Sequence, residues 1–177
     1  NASDSLAETI GHLSEVVVMS ASVDQNLNKI NLSKVVNSVL QGLVSSACEN
    51  KVKIKVTVPK DIEVLALPAY LESIILNLTT NAIKYRRPAC KSTVSISATK
   101  KDGFVVISFA DNGLGIDLNR NRSKLFKMYK TFHKHEDARG IGLFITKNQI
   151  EALGGKITVA SEVNKGSNFK VHLRYDS

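Results

Sequence analysis

Three segments carry side chains whose types and spacing can do chemistry. In Asn77-Leu78-Thr79-Thr80-Asn81-Ala82-Ile83-Lys84-Tyr85, the residues Asn77, Asn81 and Lys84 fall at i, i+4 and i+7, one stripe of a helix. Mg²⁺ takes oxygen ligands and keeps several waters, so a single asparagine carbonyl on a rigid helix suffices when phosphates complete the shell. Read alone, the stripe is also what any amphipathic helix with solvated amides looks like. In Asp111-Asn112-Gly113-Leu114-Gly115-Ile116, a carboxylate opens a turn built on two glycines. Asp111 can accept a hydrogen bond from an exocyclic amine, and Gly113 and Gly115 let backbone approach a flat ring. An acceptor there favours a 6-amino purine over a 6-oxo one, although Asp-Asn-Gly is also a common turn. In Arg139-Gly140-Ile141-Gly142-Leu143, a second glycine turn enters a helix, whose first N–H groups form an anion site with Arg139 adding positive charge.

The elements around these segments follow from periodicity and punctuation. Leu13, Val16, Ser20, Val23, Leu27 and Ile30 alternate three and four residues apart, predicting a helix over 6–30 that needs a partner to cover its stripe. Asn31 or Ser33 caps a second helix over about 33–48. Val52, Ile54, Val56 and Val58 alternate as a strand, and Ile62–Leu65 is expected to pair back after the turn at Pro59. Pro68 starts a helix running to about Tyr85. Strands at 94–99 and 104–110 flank a hairpin signal, Lys100-Lys101-Asp102-Gly103. A short helix is expected at 121–130, a helix from Gly140 to Leu153 stopped by Gly154-Gly155, and closing strands at 156–161 and 167–174. Strands and helices fall in blocks, so the class is α+β: one mixed, mostly antiparallel sheet with helices on one face, plus an N-terminal helix.

Composition narrows the setting. The 177 residues are 43% hydrophobic, enough for one packed domain, with no apolar run long enough to span a membrane, and no signal peptide is expected from the visible pattern. Cys48 and Cys90 are isolated thiols without metal spacing, which fits a reducing compartment. Residues 120–139 hold seven basic side chains against Glu136 and Asp137, and residues 84–91 hold four with no acid. These two stretches sum to +9 against a net charge of +8, so the remainder is about neutral at −1, and both flank the glycine and asparagine segments. A local positive field around a polyphosphate explains that better than nucleic acid, for which stacking aromatics interleaved with the basic residues are missing. His133-Lys134-His135-Glu136 lacks the further ligands of a metal cluster.

In this order the three segments resemble the asparagine box and the two glycine boxes of the ATP-binding domain of sensor histidine kinases, a family shared with type II topoisomerases, Hsp90 chaperones and mismatch-repair ATPases. The resemblance implies a two-layer α/β sandwich of the Bergerat type and ATP with Mg²⁺ as cofactors. It gives the metal to Asn81, phosphate to Lys84 and the cleft wall to Tyr85. It gives the adenine amine to Asp111, aided by the Gly166-Ser167 pair and by Gly113, Gly115 and Ile116. Lys124-Leu125-Phe126 with Phe132 resembles the family's F box, within a basic connection over 117–139 that corresponds to the ATP lid. Arg139, Gly140, Ile141, Gly142 and Leu143 are implied to hold phosphates, with Ala138 standing where the family more often has a further glycine. Asn77 stands where hydrolysing relatives carry a glutamate that activates water, and an amide cannot be a general base near neutral pH.

The resemblance covers 31–177 as the catalytic domain and 1–30, by pattern, as the end of a dimerisation helix hairpin. His12 is followed by Leu13, Ser14 and Glu15, which is not the pattern of a phosphoacceptor histidine. The implied function is transfer of the ATP γ-phosphoryl group to a histidine outside this chain, for relay to a response-regulator receiver domain. The implied assembly is a cytoplasmic homodimer through the N-terminal helix, touching membrane only through other domains. Two other functions remain open from sequence: an ATP-sensing dimerisation module without kinase activity, and an ATP-hydrolysing member of the same family.

Overall fold

A computed structural model describes residues 27–127 and 141–176. In chain order the elements are β1 (Asn28–Asn31), α1 (Leu32–Glu49), β2 (Val52–Thr57), β3 (Glu63–Ala66), α2 (Pro68–Lys84), β4 (Ser92–Lys101), β5 (Phe104–Asp111), α3 (Leu118–Asn121) with a 3-10 turn (Arg122–Lys124), α4 (Gly142–Ala152), β6 (Lys156–Glu162) and β7 (Gly166–Arg174). Five strands form one sheet in the order β2-β4-β5-β7-β6. Only β2–β4 is parallel; the other pairs are antiparallel, as expected of a mixed, mostly antiparallel sheet.

Alternation along the strands decides which face is covered. Val94, Ile96 and Ala98 of β4, Val105, Ile107 and Phe109 of β5 and Phe169, Val171 and Leu173 of β7 are buried, while their neighbours in sequence face the other way. Against this face lie Leu71, Ile74, Ile75, Leu78 and Ala82 of α2, with Val36 of α1 and Ile150 of α4. The result is the two-layer α+β arrangement, with α2 central: it touches α1, α4, β4 and β5. Asn31 caps α1 by accepting the Lys34 N–H at 3.0 Å, and Pro68 occupies the first turn of α2.

Four sequence expectations change. Residues 28–31, read as the end of a helix, form β1, because their backbone pairs with β3 from Asn28–Ala66 to Asn31–Glu63. For the same reason β3 does not fold back on β2, whose partner is β4. The helix expected at 121–130 is shorter and earlier: Asp117 caps one turn at 118–121 by accepting the Asn119 and Arg120 N–H groups, and a 3-10 turn follows. The last helix begins at Gly142 rather than Gly140. The pattern over 6–26, His12, the acidic-basic cluster at 133–136, Phe132, Ala138, Arg139 and Gly140 lie outside the described residues. Among the described residues, no helix is long and apolar enough to cross a membrane.

Candidate functional site

The end of β5 delivers Asp111 to the helix-covered side of the sheet, beside the start of β7. Its Oδ1 accepts two backbone N–H groups, from Gly113 at 2.8 Å and from Ser167 at 3.3 Å. Among the described residues its Oδ2 accepts none. Burial pushes the Asp111 carboxyl above its usual value, and the two N–H bonds pull it part of the way back. A carboxylate held at one oxygen and open at the other is suited to receive an N–H donor from a ligand.

The turn that follows is pinned from three sides. Asn112 accepts the Thr93 N–H and donates to the Lys91 carbonyl, each at 2.8 Å, fixing the turn to β4. The Leu114 N–H donates to the carbonyl of Tyr85 at 2.9 Å, tying it to the end of α2. The Leu114 carbonyl accepts the Asn164 N–H at 2.7 Å, and Arg87 donates to the Asn164 carbonyl, tying it to the β6–β7 turn. Gly115 has φ +66°, and a Cβ there would run into the carbonyl of Glu162. Gly166 has φ +108°, and its Cβ would strike the Asp111 carbonyl. The glycines are thus required by contact between the turn and the β6–β7 hairpin as well as by backbone conformation.

On the helix side, Asn77 is engaged. Its Nδ2 donates to Thr146 Oγ1 at 2.6 Å, and Gly142 packs directly on its amide. Four residues earlier, Ser73 accepts from Gln149 Nε2 at 3.0 Å. These two bonds zip α2 to α4. Beside them an open groove of about 300 Å³ is lined by Ser73, Leu76, Asn77, Thr80, Gly142, Ile145 and Thr146. Asn81 and Lys84 continue along α2, both half-buried. Lys84 Nζ lies 5.8 Å from the centre of the Tyr85 ring, and burial pushes the Tyr85 phenol up.

The structure therefore gathers Tyr85, Asp111, Gly113, Gly115, Ile116 and Ser167 where α2 meets the glycine turn, with Asn81 and Lys84 on the last turn of that helix. Leu125 is buried at 2% exposure, and Phe126, Ile116 and Leu143 pack on the core, so the first part of the basic connection is anchored. Ile141 is buried and its carbonyl accepts the Ile145 N–H at 3.0 Å, opening α4. Among the described residues no cluster of three His, Cys, Asp or Glu exists to hold a metal. A metal here would depend on the Asn81 carbonyl with phosphate and water, which suits a hard cation such as Mg²⁺.

Sequence reasoning missed Ser161. Its Oγ accepts the Ile116 N–H at 2.8 Å and lies 2.9 Å from the Gly166 carbonyl and 2.7 Å from Ser167 Oγ. The available signal was a serine at the third inward position of β6, after Ile157 and Val159. Thr146, which holds Asn77, left no signal, because threonine in a helix is commonplace.

The sensor histidine kinase ZraS of Escherichia coli K12 is 29% identical over 162 residues, covering 91% of this chain, which spans 34% of that protein's length. Among solved structures, a mycobacterial sensor histidine kinase, MprB, superposes with a TM-score of 0.74 at 20% identity, over 83% of this chain and 97% of that one. Full-length ShkA in complex with AMPPNP superposes at 0.76 and 24% identity, over 99% of this chain and 38% of that one. These two likenesses establish the fold. Residues 66–177 match the family described as histidine kinase-, DNA gyrase B- and HSP90-like ATPase, so the chain belongs to that family, in its sensor histidine kinase branch.

Proposed function

We propose that the domain binds ATP with Mg²⁺ and presents its γ-phosphoryl group to a histidine on a dimerisation domain, for relay to a response-regulator receiver domain. The observation that carries this is Asp111: a half-buried carboxylate with Oδ1 held by two backbone N–H groups and Oδ2 open, at the seam of the glycine turn and α2. Asp111 accepts the adenine amine, and Tyr85 and Ile116 wall the base. Asn81 supplies the metal with an oxygen ligand, while Lys84, Arg139 and the N–H groups around Gly140 and Gly142 take phosphates. When bound, Mg²⁺ neutralises charge on the phosphates, and catalysis is mostly positioning. The protein's own contribution is to hold base and phosphates apart at two fixed stations.

Asn77 supports transfer over hydrolysis. Its amide is committed to Thr146 and carries no basic group near neutral pH, so no residue at that place deprotonates water. AMPPNP in the ShkA complex supports a triphosphate ligand for this fold. The sensor kinase relatives support the rest of the reading: a homodimer through the N-terminal helix region and a receiver domain as partners, in the cytoplasm.

Calorimetric titration with ATP and GTP, with and without Mg²⁺, tests the reading. ATP binds and GTP does not. Asp111→Asn, which turns an acceptor into a donor while keeping Oδ1, lowers ATP affinity by about 100-fold or more, since a site's unpaired polar group rejects its ligand strongly. Asn81→Asp removes productive binding with the fold retained. Unchanged affinity in both variants sinks the assignment. Phosphate transfer is then tested by supplying the phosphoacceptor helix, where steady phosphate release without transfer identifies a hydrolase instead.

A further inference from the structure

We infer that Ser161 is the positioning residue that makes the site read a 6-amino purine, by fixing Ser167 as a hydrogen-bond acceptor. This rests on the nucleotide reading above. It concerns a residue on β6 that is distinct from Asp111.

Ser161 and Ser167 are cross-strand partners at the mouth of the β6–β7 hairpin. Three polar groups meet the Ser161 hydroxyl there, the Ile116 N–H, the Gly166 carbonyl and the Ser167 hydroxyl, all within 2.7–2.9 Å of Ser161 Oγ. A hydroxyl has one proton and two lone pairs, so the bonds cannot be distributed freely. The Ile116 N–H can only donate, which takes one lone pair of Ser161. Two arrangements remain for its proton.

If Ser161 donates to the Gly166 carbonyl, Ser167 donates to Ser161, and all three contacts are hydrogen bonds. If Ser161 instead donates to Ser167, the Gly166 contact is lost as a bond. The first arrangement makes one more bond in a half-buried corner and is the favoured one. Its consequence reaches the ligand. Ser167 has spent its only proton on Ser161, so it meets anything in the cleft with lone pairs alone. The Ser167 N–H meanwhile holds Asp111 Oδ1, leaving Oδ2 as a second acceptor. Two acceptors match the two protons of an exocyclic amine, directly or through water, and oppose a 6-oxo group. Without Ser161 the Ser167 proton is free to turn outward and donate, and a 6-oxo purine becomes tolerable.

The test is the affinity ratio of ATP to ITP, which differ at the 6-position, measured by calorimetry on the whole chain. Wild type prefers ATP. Ser161→Ala lowers the preference about tenfold, chiefly by improving ITP. Ser161→Thr, which keeps the hydroxyl, restores it. A merely structural role weakens both nucleotides together and leaves the ratio unchanged; a ratio within twofold of wild type in folded Ser161→Ala overturns the inference. If that variant does not fold, Ser167→Ala serves: it removes the acceptor itself, so it lowers the same preference, and a preserved ratio there is equally fatal. Wild type that binds neither nucleotide overturns the nucleotide reading, an outcome separate from an ATP-selective wild type indifferent to Ser161.

Discussion

The two ends of the site are built by different means. At the Asp111 end, each side chain that shapes the corner is anchored by backbone: Asp111 by Gly113 and Ser167, Asn112 by Thr93 and Lys91, Ser161 by Ile116. At the α2 end, Asn77 is tied to Thr146 by side chains beside a groove open to solvent, and Asn81 and Lys84 follow along the same helix, half-buried. A corner fixed by strands and backbone bonds exists before any ligand arrives. A row of side chains on a helix orders its last groups on binding, at a cost in rotamer freedom. On the function proposed above, discrimination between bases would belong to the first end, and metal- and charge-dependent affinity to the second.

The comparison breaks most sharply at Gly115. An alanine there is strained at φ +66° and drives its Cβ into the Glu162 carbonyl, a backbone atom that cannot swing aside. Gly115→Ala is expected to cost about 3 kcal/mol or more, strain and clash together, read by chemical denaturation. Base discrimination should vanish with it. A variant of wild-type stability and ATP preference shows the corner to be softer than its bonds imply.

Asn81→Ala probes the other end. Affinity for ATP in the presence of Mg²⁺ should fall about tenfold, whereas affinity in EDTA should hardly move, because the lost group is a single ligand of a mostly phosphate- and water-held ion. An equal loss in both conditions assigns Asn81 to the nucleotide itself. Asn77→Ala is smaller again for binding. It unpairs Thr146 and loosens α2 from α4, costing about 1 kcal/mol of stability with ATP affinity within a few-fold of wild type. A large affinity loss at unchanged stability places Asn77 on the ligand.

The two ends were not equally legible in sequence. The α2 stripe follows from helical spacing, and Pro68 and Tyr85 set its length within a residue. The glycine turn and its carboxylate were legible because glycine at a strand end implies close backbone approach. The partners of these residues were not. Thr146 and Ser161 meet Asn77 and Ile116 across 69 and 45 residues, and nothing local marks such pairs. The strand β1 was lost for a related reason: Leu27 and Ile30 continue a helical spacing, and only pairing with β3, itself set by the long return through α1, decides for strand.

Proton concentration separates the two ends most finely. Burial raises the Asp111 carboxyl above its ordinary value of 3.8. A raised carboxyl favours the protonated form in the folded state, so its contribution to stability is full below 3.8 and fades as pH rises through the folded value. Its contribution to binding runs the other way, because an amine needs the ionised oxygen as acceptor. Adenosine carries no phosphate to titrate and makes the cleaner ligand. Its affinity should be flat near neutrality and decline several-fold as pH falls toward the carboxylate range, while the ligand-free protein gains at Asp111 over the same interval. Asp111→Asn should flatten both curves. A decline that survives in Asp111→Asn belongs to another group, and the opposite signs of binding and stability then no longer trace to the carboxylate end of the site.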